Sequence, residues 1–99
     1  MEARFADPSV LILASLAGGP KHGWALIKDV EEMAGTQLGP GTVYGVLSRL
    51  ERGGLVEALP TDDRRRPYRI TPAGAAAVRA YLEHLRHVAT AGLRRLGGR

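Results

Sequence analysis

The chain contains no cysteine, a single tryptophan and a single phenylalanine, and aromatic residues make up only 5% of it. Without cysteine there is neither a disulfide framework nor a thiolate metal site, which fits a reducing compartment. No apolar run reaches the eighteen residues or so that a membrane-spanning helix requires. Glu2 and Asp7 precede the first apolar segment, so the basic n-region of a signal peptide is missing. A catalytic inventory is missing too: no P-loop, no serine in a motif with histidine, no paired acids in a plausible cleft. Those absences exclude an enzyme and call for no cofactor. What remains is 99 residues, 44% hydrophobic and 24% charged, enough for one folded domain with a modest core.

The formal net charge of +4 conceals an asymmetry. Residues 1–63 hold five Lys/Arg against nine Asp/Glu, whereas residues 64–99 hold nine against one. The basic excess begins at Arg64 and points to a polyanionic partner, unless it is merely a solvated face.

Helix signals come in order. Asp7-Pro8 reads as an N-cap with proline at the first helical position, followed by the apolar Val10–Leu16 and a stop at Gly18-Gly19-Pro20. A second helix carries Trp24, Ile27, Val30, Met33 and Ala34 at helical spacing, with Trp24 read as core in preference to a ligand platform and Gly35 as its end. Gly39-Pro40 opens a third helix that Gly53-Gly54 closes. Two helices joined by a short glycine-containing turn form a helix-turn-helix.

After Leu55 the period changes. Residues 55–59 alternate as a strand, 60–63 supply turn residues, and Pro67–Thr71 return, giving an antiparallel hairpin tipped by Arg64, Arg65 and Arg66. Thr71-Pro72 then caps a helix running to about Leu96, roughly 37 Å at 1.5 Å per residue, longer than the domain needs. Val78, Leu82, Leu85, Ala89, Gly92 and Leu96 step by four and three, a heptad-like seam that Gly92 weakens. This predicts a mostly α fold with a small β-hairpin: a winged helix-turn-helix over 1–71, with the recognition helix at about 40–52 and the wing at about 55–71. Residues 72–99 form a dimerisation helix within the same unit, with Val78, Leu82, Leu85, Ala89 and Leu96 meeting a second copy.

The third helix carries the functional signal. Val43, Val46, Leu47 and Leu50 make one apolar stripe, while the other face holds Gly41, Gly45, Ser48 and Arg52, flanked by Thr42, Tyr44 and Arg49. A face that is small, hydrogen-bonding and basic suits a DNA major groove. Gly41 and Thr42 occupy the first turn, where free backbone donors suit a phosphate or serve simple capping. Tyr44 either faces DNA or lies across the shoulder of the core. Ser48 and Arg49 are the candidates for base edges, Arg49 alternatively pairing with Glu51 or Asp29. Arg52 belongs to the same DNA-binding face, and the Arg64–Arg66 run would meet phosphates or the minor groove unless it is an ordinary solvated loop. Asp62 and Asp63 oppose that field and would restrain the arginines when DNA is absent.

Other features weigh less. His84 and His87 lie one turn apart but have no third ligand, so no metal site is expected. Arg94, Arg95 and Arg99 sit on a helix with too few large apolar residues for membrane insertion.

The stretches LILASLAGGPKHGWALIKDVEE, LGPGTVYGVLSRLERGGLVE and RRRPYRITPAGAAAV, in that order and spacing, resemble the PadR-like winged-helix transcriptional regulators from Val10 to Leu96. The resemblance implies a cytoplasmic bacterial repressor that binds a pseudo-palindromic operator in double-stranded DNA as a homodimer. In some relatives a phenolic acid or flat hydrophobic compound acts as effector near the dimer interface. Two departures stand out: Gly45 follows the motif tyrosine where the family usually has proline, and Gly39 caps where serine is common. The rival expectation is a winged-helix module that binds another polypeptide without touching DNA.

Overall fold

The computed structural model describes residues 7–62 and 64–97. Glu2, Asp63 and Arg99, which entered the sequence reading, lie outside the described residues.

Helix α1 (Pro8–Leu16) starts as its sequence signal requires: an Asp7 side-chain oxygen accepts from the Ser9 N–H at 2.8 Å, with Pro8 at the first position. Its apolar residues are not confined to one stripe, and Leu11, Ile12, Leu13 and Leu16 are all buried. It is therefore the central helix, touching α2 (Gly23–Ala34), α3 (Pro40–Arg52) and α4 (Pro72–Gly97). Leu26, Val43, Val46, Leu47, Leu50, Val56 and Val78 complete the core around it. The four apolar residues of α3 are those whose spacing marked them as one stripe.

The sheet has one strand more than the sequence suggested. β1 (Lys21–His22) pairs with β3 (Pro67–Ile70), which pairs with β2 (Val56–Ala58), all antiparallel in the order β1-β3-β2. Val56, Glu57 and Ala58 face Ile70, Arg69 and Tyr68 across the hairpin, and Lys21 faces Tyr68 on the other edge. A two-residue strand has no alternation to read. It exists because β3 offers it an unpaired edge.

Further expectations are corrected. Trp24 is 61% exposed and no core residue. The buried side of α2 is set by Leu26 and Val30, and Trp24 lies about 200° round the helix from Leu26. Met33 and Ala34, assigned to the same stripe, are exposed in the last turn. Val78, placed in the dimer seam, is buried within its own protomer's core and holds the root of α4 there.

That root is closely fitted. The Thr71 hydroxyl donates to the Gly54 carbonyl at 2.7 Å and accepts from the Gly74 N–H at 3.1 Å, capping α4 and tying it to the end of α3. Gly74 lies against the Leu55 carbonyl so tightly that a Cβ would overlap the oxygen. Beyond Val78 no residue of α4 is fully buried, and Tyr81, Leu82, Leu85, Val88, Leu93 and Leu96 are exposed. The chain measures 55 × 28 × 19 Å, its length set by this helix.

Candidate nucleic-acid interface

With its apolar stripe facing the core, α3 turns Gly41, Thr42, Tyr44, Gly45, Ser48, Arg49 and Arg52 outward, all of them exposed. Gly39 caps the helix without a side chain and Pro40 has no N–H, so the first-turn donors have no local side-chain acceptor. The far end is organised by one pair: Arg52 Nη1 donates to Ser48 Oγ at 3.0 Å, an i, i+4 contact along the exposed face. Arg49 pairs with neither Glu51 nor Asp29; its Nη2 donates to Ser9 Oγ at 2.9 Å, pinning the guanidinium toward the start of α1.

Tyr44 is partly packed and partly open. It is 51% exposed, and the inner edge of its ring lies on α2. A Cβ at Gly23 would stand 2.5 Å from both Tyr44 Cζ and Oη. Gly23 has no positive φ; it is required by the tyrosine that lies on it. Gly23 at the start of α2 and Tyr44 of α3 are thus two halves of one contact. Spacing along one helix gave no sign of it.

The start of α2 is itself anchored. His22 caps it, its Nδ1 accepting from the Ala25 N–H at 3.4 Å. Lys21 Nζ donates to the Ser15 carbonyl at 2.5 Å and lies 3.8 Å from an Asp29 carboxylate oxygen. That carboxylate also accepts from Ser15 Oγ at 2.6 Å, satisfying a hydroxyl that is only 2% exposed. The end of α1, β1 and α2 are so joined by one polar clamp, and with them the position of Gly23 under Tyr44.

The wing is the β2–β3 hairpin. Its ladder continues past the strands, with the Leu59 N–H donating to the Pro67 carbonyl at 2.9 Å. At its base Arg69 bonds Glu57, its cross-strand partner. Arg64, Arg65 and Arg66 are exposed in the loop. Among the described residues no group of His, Asp or Glu is arranged to hold a metal ion, His84 and His87 included. No helix there is long and apolar enough to cross a membrane.

A helix-turn-helix whose second helix shows a polar, basic face, followed by an arginine-tipped hairpin and a long helix, defines the class: a winged helix-turn-helix protein. The PadR-like transcriptional regulator family model matches residues 12–80. The chain belongs to that family, which regulates transcription and is not enzymatic. It is similar to transcriptional regulator Rv3488 of Mycobacterium tuberculosis, 43% identical over 70 residues, covering 68% of this chain and 64% of that protein. It is also 43% identical over 96 residues to an uncharacterized 37.1 kDa protein in transposon TN4556 of Streptomyces fradiae, covering 97% of this chain but 26% of that one. The chain thus spans less than two thirds of the length of either relative. Its fold is that of a PadR family transcription regulator from Clostridium difficile, with a TM-score of 0.80 at 23% identity over 90% of this chain and 97% of that one.

Proposed function

We propose that this chain is a homodimeric DNA-binding regulator that represses transcription by occupying a pseudo-palindromic operator. The observation that carries the reading is the outward face of α3, where four core residues leave a small, hydrogen-bonding, basic surface exposed at the recognition-helix position. Residues 40–52 would enter a major groove, with Ser48 and Arg49 at base edges and Gly41, Thr42, Tyr44 and Arg52 against the backbone. The wing arginines Arg64, Arg65 and Arg66 would meet phosphates or the minor groove. Residues up to 71 form the reading head, and α4 supplies the clasp. Leu82, Leu85, Ala89 and Leu96 would meet a second copy, aided by Tyr81, Val88 and Leu93, and set half-sites one helical turn apart, about 34 Å.

The acidity that favours a purely protein-binding module is partly absorbed inside the protomer. Asp29 is held by Ser15 and Lys21, Glu31 accepts from Gln37 at 2.9 Å, and Glu57 is paired with Arg69. A small effector would meet an open hollow of about 330 Å³ beside the clasp, lined by Ala17, Ala75, Val78 and Leu82 together with Arg79, Glu83 and Arg86. Its apolar residues and two arginines would take an aromatic acid such as a phenolic, with Glu83 opposing the ligand's carboxylate.

The test is selection of bound fragments from a random duplex pool, with and without phenolic acids. A two-fold symmetric motif is expected; an asymmetric motif, or no enrichment, refutes the reading. On the selected DNA, replacing Arg64, Arg65 and Arg66 by alanine should weaken every sequence alike and lower the salt slope by about one for each phosphate no longer neutralised. Ser48→Ala should instead relax base preference. If operator and scrambled duplex weaken by the same factor, Ser48 only grips the backbone.

A further inference from the structure

The one tryptophan is left without a task by the core, and its surroundings give it one. α2 has two flanks. On one, Asp29 reaches Ser15 of α1; on the other, Gly23 lies beneath Tyr44 of α3. At about 100° per residue, Trp24 is one step from Gly23 on the side away from Asp29. It therefore extends the surface that begins with the exposed half of Tyr44, in the first turn of α2. Charge changes along the same helix. Lys28 falls in its N-terminal half and Lys21, held in the clamp with Asp29, precedes it, whereas Asp29, Glu31 and Glu32 all fall in its C-terminal half. The tryptophan stands at the end a polyanion would approach.

We propose that Trp24 is a further DNA contact: its indole packs on the sugar–phosphate backbone beside Tyr44, and its ring N–H donates to a phosphate oxygen. An indole suits that position, with an apolar face for deoxyribose and one donor with no acceptor of its own to repel an anion. The contact is to the backbone, so it positions α3 without reading a base. The inference rests on the proposed DNA-binding function and adds a residue to it.

Because Trp24 is the sole tryptophan, indole fluorescence of the full chain reports on this position alone. The probe is a random-sequence duplex of about 30 base pairs, long enough for two half-sites, titrated at low salt while a gel shift follows complex formation. Binding should change the emission and shield it from acrylamide quenching. Trp24→Ala should weaken binding about tenfold, the worth of one hydrogen bond to a charged group, for random and selected DNA alike. Its melting temperature and sedimentation mass should be unchanged. Trp24→Phe, which keeps the ring area and loses the donor, should fall between. A gel-shifted complex whose indole stays fully open to acrylamide, with Trp24→Ala binding as the parent does, overturns the inference and leaves the DNA reading standing. No complex with any duplex overturns both. Shielding that follows protein concentration without DNA assigns Trp24 to contact between copies, and overturns it too.

Discussion

At its root α4 is fixed by interactions that leave no slack, the Thr71 cap, Gly74 against the Leu55 carbonyl and Val78 in the core. From Tyr81 outward the same helix exposes one large apolar residue after another, ending in Leu96 at 87%. Propensity does not separate the two parts, for alanine and arginine run through both. What differs is where the partner atoms come from. The root finds them in its own protomer. The outer turns find few, and a row of this length exposed on a small protein is the usual mark of an interface. On the proposed reading, one helix is thus both a wall of the reading head and the bar that spaces two heads.

Gly74→Ala attacks the root and should have the largest effect. The methyl group would meet a backbone oxygen and Ile70 Cγ1, neither of which can swing aside. A loss of about 3 kcal/mol is expected, the upper end for overpacking, read as a lower urea midpoint at unchanged slope. An unshifted midpoint would mean that the root can slide along β2.

Leu85→Glu combined with Leu96→Glu attacks the outer turns. Both side chains are exposed, so the reading head should keep its unfolding midpoint. The sedimentation mass should fall to that of one chain. Affinity for a two-half-site duplex should fall about a hundredfold, because the second half-site is no longer engaged by a tethered head. A dimer that survives both glutamates would place the second copy elsewhere on the molecule.

What the sequence made legible follows the same division between local and distant causes. The α3 stripe, the Asp7 cap, the hairpin around Arg64–Arg66 and the long last helix are periodic or local signals, and each lies where its residues suggested. β1 was hidden because two residues carry no period. Trp24 misled because an aromatic next to apolar spacing reads as core, while the side α2 buries is set by Leu26 and Val30. Arg49 had acidic neighbours in sequence, yet its hydrogen bond goes to Ser9, which only the packing of α3 on α1 brings near. Of the candidate site, the exposed faces were legible and the interactions that position them were not.

Gly23→Ala sharpens the contrast with Gly74, since both glycines leave no room for a Cβ but face different obstacles. At Gly23 the obstacle is the far end of Tyr44, a half-exposed side chain that can swing out. Alanine also favours the helix by up to about 1 kcal/mol over glycine. The two effects largely offset each other, so stability should move by less than about 1 kcal/mol. On the proposed reading the displaced tyrosine would no longer present its hydroxyl to the DNA backbone, and binding should weaken about tenfold. A double-mutant cycle assigns the cause. If Gly23 acts through Tyr44, Gly23→Ala with Tyr44→Ala should bind no worse than Tyr44→Ala alone. Additive effects would instead place the cause in the start of α2 itself, where the methyl group would disturb the His22 cap and not the aromatic ring above it.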